Sequence, residues 1–123
     1  MALNFTTGPR CFTRESRGGA TFVEFHVEPN RRCGFPLGQL CHYTLDTNIT
    51  DGEGAPPERL TMGFPTADVV VLGARLGKVV EAIQEQSLSA VIPLDARYAQ
   101  ILGRDPWVAQ VTVTRIDKNG ASS

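Results

Sequence analysis

The chain has 123 residues, 41% of them apolar and 20% charged, enough to close one core without disulfide or metal staples. Twelve Lys and Arg stand against thirteen Asp and Glu, a net charge of −1, which excludes a whole-molecule field that gathers nucleic acid or anionic lipid. No apolar run approaches the roughly 18–20 residues that span a bilayer, so no membrane partner is expected.

The first residues, Met1-Ala2-Leu3-Asn4-Phe5, lack a basic stretch followed by an apolar run, so no secretory signal is read there. Cys11, Cys33 and Cys41 are odd in number and form no Cys-x-x-Cys pair. Reduced thiols and a cytoplasmic setting are the expectation. Ten of the twelve basic residues are Arg, a bias that an Arg-rich genome produces without any function.

Residues 1–19 are rich in Gly, Thr and Arg and read as an irregular arm of a single domain. From 21 to 27 the chain alternates: Val23, Phe25 and Val27 on one face, Glu24, His26 and Glu28 on the other. That is the period-2 pattern of a half-buried strand. Residues 29–38, with Arg31, Arg32, Gly34 and Pro36, read as a loop. A second strand is predicted over 39–45, with Cys41, Tyr43 and Leu45 on its apolar face. The polar stretch 46–57 reads as a long loop, beyond the usual connection length.

Residues 59–64 alternate again, with Leu60, Met62 and Phe64 on one face. Over 66–86 the three adjacent valines at 69–71 favour a strand, broken at Gly73. Leu76, Val79, Val80 and Ile83 then form a helical stripe, giving a helix over about 74–86. A single helix over 67–86 also fits the spacing. A short strand over 89–94, a short helix over 96–102 and a long strand over 107–116 follow. In the last strand Trp107, Ala109, Val111 and Val113 share one face. Residues 117–123 read as a frayed tail. The class is α+β: a mainly antiparallel sheet of about five to seven strands with the amphipathic helix packed on it.

Five constellations bear on chemistry. If the strands at 21–27 and 39–45 are neighbours, Glu24 and His26 share a face with His42 and Asp46. Imidazoles beside carboxylates perform acid–base catalysis or bind a divalent metal, although two histidines on a wet sheet face are the commoner arrangement. Cys33, beside Arg31 and Arg32 in the expected loop, is the better nucleophile candidate, since nearby cations lower a thiol's pKa. Arg14 and Arg17, with Arg10, Arg31 and Arg32, could form an anion-binding patch. Aromatic interleaving is thin, so nucleic acid is disfavoured.

Gly73 to Val79 follows a strand and opens a helix, the setting of a phosphate loop, but its spacing fits neither a P-loop nor a dinucleotide fingerprint. Asp46 to Glu53 starts like a calcium loop and departs from it at the sixth and twelfth positions. No cofactor is implied. The expectation is an interaction or small-ligand-binding module that is homodimeric through a strand edge and takes a protein partner or a small anionic ligand. An enzyme or metal site on the histidine face is the alternative, and phosphate or nucleic-acid binding through the Arg-rich region is a third reading.

Overall fold

Alternation in this sequence builds two sheets around one core. The structure is a computed structural model and describes residues 11–14, 22–27, 30–47, 56–95, 97 and 105–116. The strands are β1 (Phe12–Arg14), β2 (Phe22–Val27), β3 (Arg31–Pro36), β4 (His42–Thr47), β5 (Glu58–Phe64), β6 (Ala67–Ala74), β7 (Leu88–Val91) and β8 (Trp107–Arg115). Among the described residues there is one α-helix, α1 (Gly77–Gln84), between β6 and β7. The first sheet has the order β1-β7-β2-β3 and the second β4-β5-β6-β8. Pairing is antiparallel except between β2 and β7. The fold is therefore α+β and mainly antiparallel, with eight strands among the described residues. Of the loop expected over 46–57, Asp46 and Thr47 belong instead to β4, where they pair with Arg59 and Glu58. Residues 48–55 lie outside the described residues, as do the arm outside 11–14, the helix expected over 96–102 apart from Arg97, and the tail at 117–123.

The core faces follow from register. In the first sheet Val23 and Phe25 sit opposite Phe35 and Cys33, and all four are buried. In the second, Leu60 and Met62 of β5 sit opposite Val71 and Val69 of β6, each with no exposed surface. Phe64 of β5 joins the layers: it stacks on Phe35 at 4.8 Å between ring centroids and meets Phe25 edge-on at 6.2 Å.

The segment 29–38 corrects the sequence reading. It holds a strand, β3, preceded by a turn at Asn30 and followed by a single 3-10 turn, Leu37–Gln39. Two core positions, Cys33 and Phe35, are enough to hold it against β2. Its Gly and Pro are tolerated because β3 is an edge strand, where a missing N–H breaks no ladder bond. The following strand consequently starts at His42, leaving Cys41 exposed before it.

Strand, turn and helix do succeed one another over 67–84, but Gly73 lies inside β6 and does not end it. The break comes at Arg75, whose φ of 57° is left-handed. Opposite Gly73 the ladder with β8 slips: Leu72 pairs with Gln110 and Gly73 with Val108. This bulge lets both Trp107 and Val108 face the core. Ala109, Val111 and Val113 also pack on it as the alternation predicts, so the simple pattern over 107–116 fails at Val108 alone of these residues.

Helix α1 buries Val79, Ala82 and Ile83. At its N-terminus the Leu76 N–H donates to Glu58 Oε1 at 2.8 Å. A carboxylate of the protein itself thus satisfies one of the groups that the phosphate reading required. At the C-terminus Gln86 N–H donates to Ile83 O and Ser87 N–H to Ala82 O. These bonds form a Schellman closure, with Gln86 in the left-handed position (φ 57°).

Candidate functional site

The histidine face expected from sequence is divided between the two sheets. β2 belongs to one and β4 to the other, so neighbouring-strand pairing does not bring His26 and His42 together. On the outer face of the first sheet His26 Nε2 lies 3.4 Å from Glu24 Oε1, and Arg32 Nη1 lies 3.7 Å from the same oxygen. These contacts are partly exposed, and such pairs contribute about 0–1 kcal/mol.

On the outer face of the second sheet His42 sits opposite Gly63. Its ring occupies the space that a β-carbon at Gly63 would need. An aromatic ring laid over a facing glycine shields the backbone there, which gives His42 a structural role. Asp46 sits opposite Arg59, with Oδ2 3.8 Å from Nη2. Among the described residues no three His, Cys, Asp or Glu side chains gather in a way that could hold a metal ion.

Cys33 is not a loop nucleophile. It faces the core from β3 opposite Phe25 and is 6% exposed. Strand alternation turns Arg32 to the opposite face, and Arg31, two residues back on the Cys33 face, is exposed at the end of the strand. Cys11 is buried too. Val108 N–H donates to its Sγ at 3.1 Å, and burial pushes the Cys11 thiol up from its ordinary pKa, outweighing the opposing effect of the backbone bond to Val108. Cys41 is exposed and lines a groove of about 470 Å³ between the 3-10 turn, the start of β4 and the end of α1. There Gln84 Nε2 donates to Tyr43 Oη at 2.8 Å. In the native protein an alkylating reagent is expected to label Cys41 alone of these three thiols, with Cys11 and Cys33 labelled after unfolding. Mass spectrometry after timed labelling checks this, and fast native modification of Cys33 would contradict its placement.

Of the expected arginine cluster, Arg14 ends β1 but its side chain lies outside the described part, as do Arg10 and Arg17. Arg32 is drawn to Glu24. Arg31 lines a second groove, of about 490 Å³, with Val27 and the β8 residues from Ala109 to Val113. Neither groove includes His26 or Glu24.

The four sheet edges differ in a way that sequence reading missed. An exposed edge invites pairing with another strand unless it is short, charged, bulged, proline-bearing or covered. β1 has three residues and an irregular register. β3 carries exposed Arg31 and Arg32 and ends in Pro36. β8 is bulged, and Val27 and Arg31 wall it. Among the described residues, β4 has none of these protections apart from the single charge of Asp46. Its six residues pair in unbroken register with β5, and among the described residues no strand pairs with its other side. It contains no Lys, Arg, Pro or Gly, and its one acid, Asp46, is drawn to Arg59. Leu45 shares the inward face with Tyr43, yet it is 37% exposed.

No family model matches the chain, and neither a curated protein nor a solved structure resembles it significantly. The functional reading therefore rests on the geometry.

Proposed function

We propose that this protein is a binding module that works by strand addition at β4, and that it is not an enzyme built on its histidines. The observation that carries this reading is the contrast among the four edges: β1 is short, β3 carries two arginines and a proline, β8 is bulged and faces Val27 and Arg31 across a groove, and β4 is regular and, among the described residues, open. Strand addition draws affinity from backbone hydrogen bonds and specificity from alternate side chains. On β4 the alternate sets are distinct: His42, Thr44 and Asp46 on the outer face, Tyr43 and Leu45 on the inner. A partner strand must therefore meet a polar row on one side and an aromatic–aliphatic row on the other.

The test uses Leu45→Lys, which places an inward-pointing charge on the edge, a device that natural edges use against pairing. Leu45 is already 37% exposed, so the fold is expected to survive, as circular dichroism and the melting temperature would report. Extended peptides of random sequence selected for binding to the native protein are expected to lose affinity about 10-fold or more for Leu45→Lys. Selected peptides that bind both proteins equally would rule out β4 as the working edge.

A further inference from the structure

We infer that the strand which completes β4 is β4 of a second copy of this chain, paired antiparallel about a two-fold axis through Thr44. This rests on the strand-addition reading and names its partner. Faces restrict the possible registers. In an antiparallel pair, directly opposite residues point to the same side of the sheet. A two-fold axis perpendicular to the sheet keeps outer face with outer face, so it must pass through a residue position and not between two.

The candidate centres differ in what they bring together. An axis at Thr44 sets His42 opposite Asp46 of the partner subunit, Tyr43 opposite Leu45 of the partner subunit, and the two Thr44 side chains opposite each other. These are an acid–imidazole pair, an aromatic–aliphatic pair and a Thr–Thr pair, the kinds of cross-strand pair that stabilise sheets. Each of the first two occurs twice by symmetry. An axis at Leu45 pairs Thr44 with the partner's Asp46 and leaves His42 without an acid. An axis at Asp46 sets two carboxylates face to face, which is destabilising. An axis at Tyr43 pairs fewer residues of the strand.

The present contacts favour the Thr44 register further. Asp46 is held near Arg59, with its side chain 47% exposed, so an oxygen remains open to a second donor. His42 lies over Gly63, which fixes the imidazole on the outer face where the partner's Asp46 would arrive. Tyr43 is anchored through its hydroxyl by Gln84, two residues from the exposed Leu45 on the same face of β4. The product is one continuous eight-stranded sheet, in which the second sheet of each copy contributes four strands. Pairing removes the two open β4 edges together, because the contact is isologous and closes on itself.

Two measurements test the inference. Light scattering over a concentration series from about 1 to 200 µM should move from a mass of 13.3 kDa towards twice that value. Leu45→Lys should weaken the association about 10-fold or more. Separately, Thr44→Cys and Leu45→Cys are made in a Cys41→Ser background and oxidised under native conditions.

Opposite α-carbons in an antiparallel pair lie about 4.5–5.5 Å apart, within the span of a disulfide. Thr44→Cys is therefore expected to cross-link into a covalent dimer. In the same register the two Leu45 positions are diagonal, about 7–8 Å apart, and Leu45→Cys should stay largely monomeric under reduction-free electrophoresis. A protein that stays at 13.3 kDa throughout overturns self-pairing, while the peptide selection above still decides the edge reading. A dimer that Leu45→Lys leaves intact overturns both. Efficient cross-linking through Leu45→Cys with none through Thr44→Cys overturns the register.

Discussion

Gly73→Ala is expected to cost about 3–5 kcal/mol and to leave the chain close to unfolded. A β-carbon at Gly73 would run into the carbonyl oxygen of Trp107, with the Val108 α-carbon close behind. Both obstacles are backbone, so no side chain can rotate away. β6 would have to separate from β8 at the bulge that lets Trp107 and Val108 bury. Gly63→Ala makes an informative control. The obstacle there is the His42 ring, which can swing towards solvent, so the cost should be about 1 kcal/mol or less. Denaturant melts of the two variants check the contrast. Equal stability for Gly73→Ala and the native chain would contradict the close approach of β6 and β8.

Phe64→Ala should cost about 3–5 kcal/mol, the usual range for truncating a buried aromatic residue. Phe64 is 3% exposed, and it is the β5 side chain that stacks on Phe35 of β3 and meets Phe25 of β2. Its loss leaves a cavity at the joint between the two sheets, a site that can collapse only if the sheets move together. Phe22→Ala is the matched control. Phe22 is 56% exposed, and its truncation should fall within about 0.5 kcal/mol of the native value. Chemical denaturation of both variants reads the difference directly. Similar losses at Phe64 and Phe22 would contradict the two-sheet core.

Local pattern reveals which way a side chain faces and is silent on what lies beside it. The alternation at Val23 and Phe25, and at Leu60, Met62 and Phe64, marks the core faces of β2 and β5, and all five side chains are buried there. The Val69–Leu72 run and the helical stripe after it are legible for the same reason. β3 is not legible, because two arginines, a glycine and a proline hide a strand that needs only Cys33 and Phe35 to hold it. The reading of Cys33 as a loop thiol fails with that segment.

Strand order is a long-range property. β7, from the C-terminal half of the chain, inserts between β1 and β2, and β2 and β4 fall into separate sheets. No periodicity within either strand encodes that division, and the shared histidine face depended on it. The open edge at β4 is equally hidden. Its regular polar and apolar alternation looks like any half-buried strand until the other edges are seen to be guarded. One signal was available: Gly63 within the alternating run 58–64 marks a close approach, and the approaching group is the His42 ring.

The most direct measurement is amide hydrogen exchange at high protein concentration, comparing the native chain with Leu45→Lys residue by residue. An occupied β4 edge predicts slow exchange for the outward-pointing amides of β4 in the native protein and fast exchange in the variant, with β1, β3 and β8 unchanged. Identical exchange along β4 in the two proteins, or protection that appears on β3 or β8 instead, would contradict the assignment of β4 as the edge through which this protein binds.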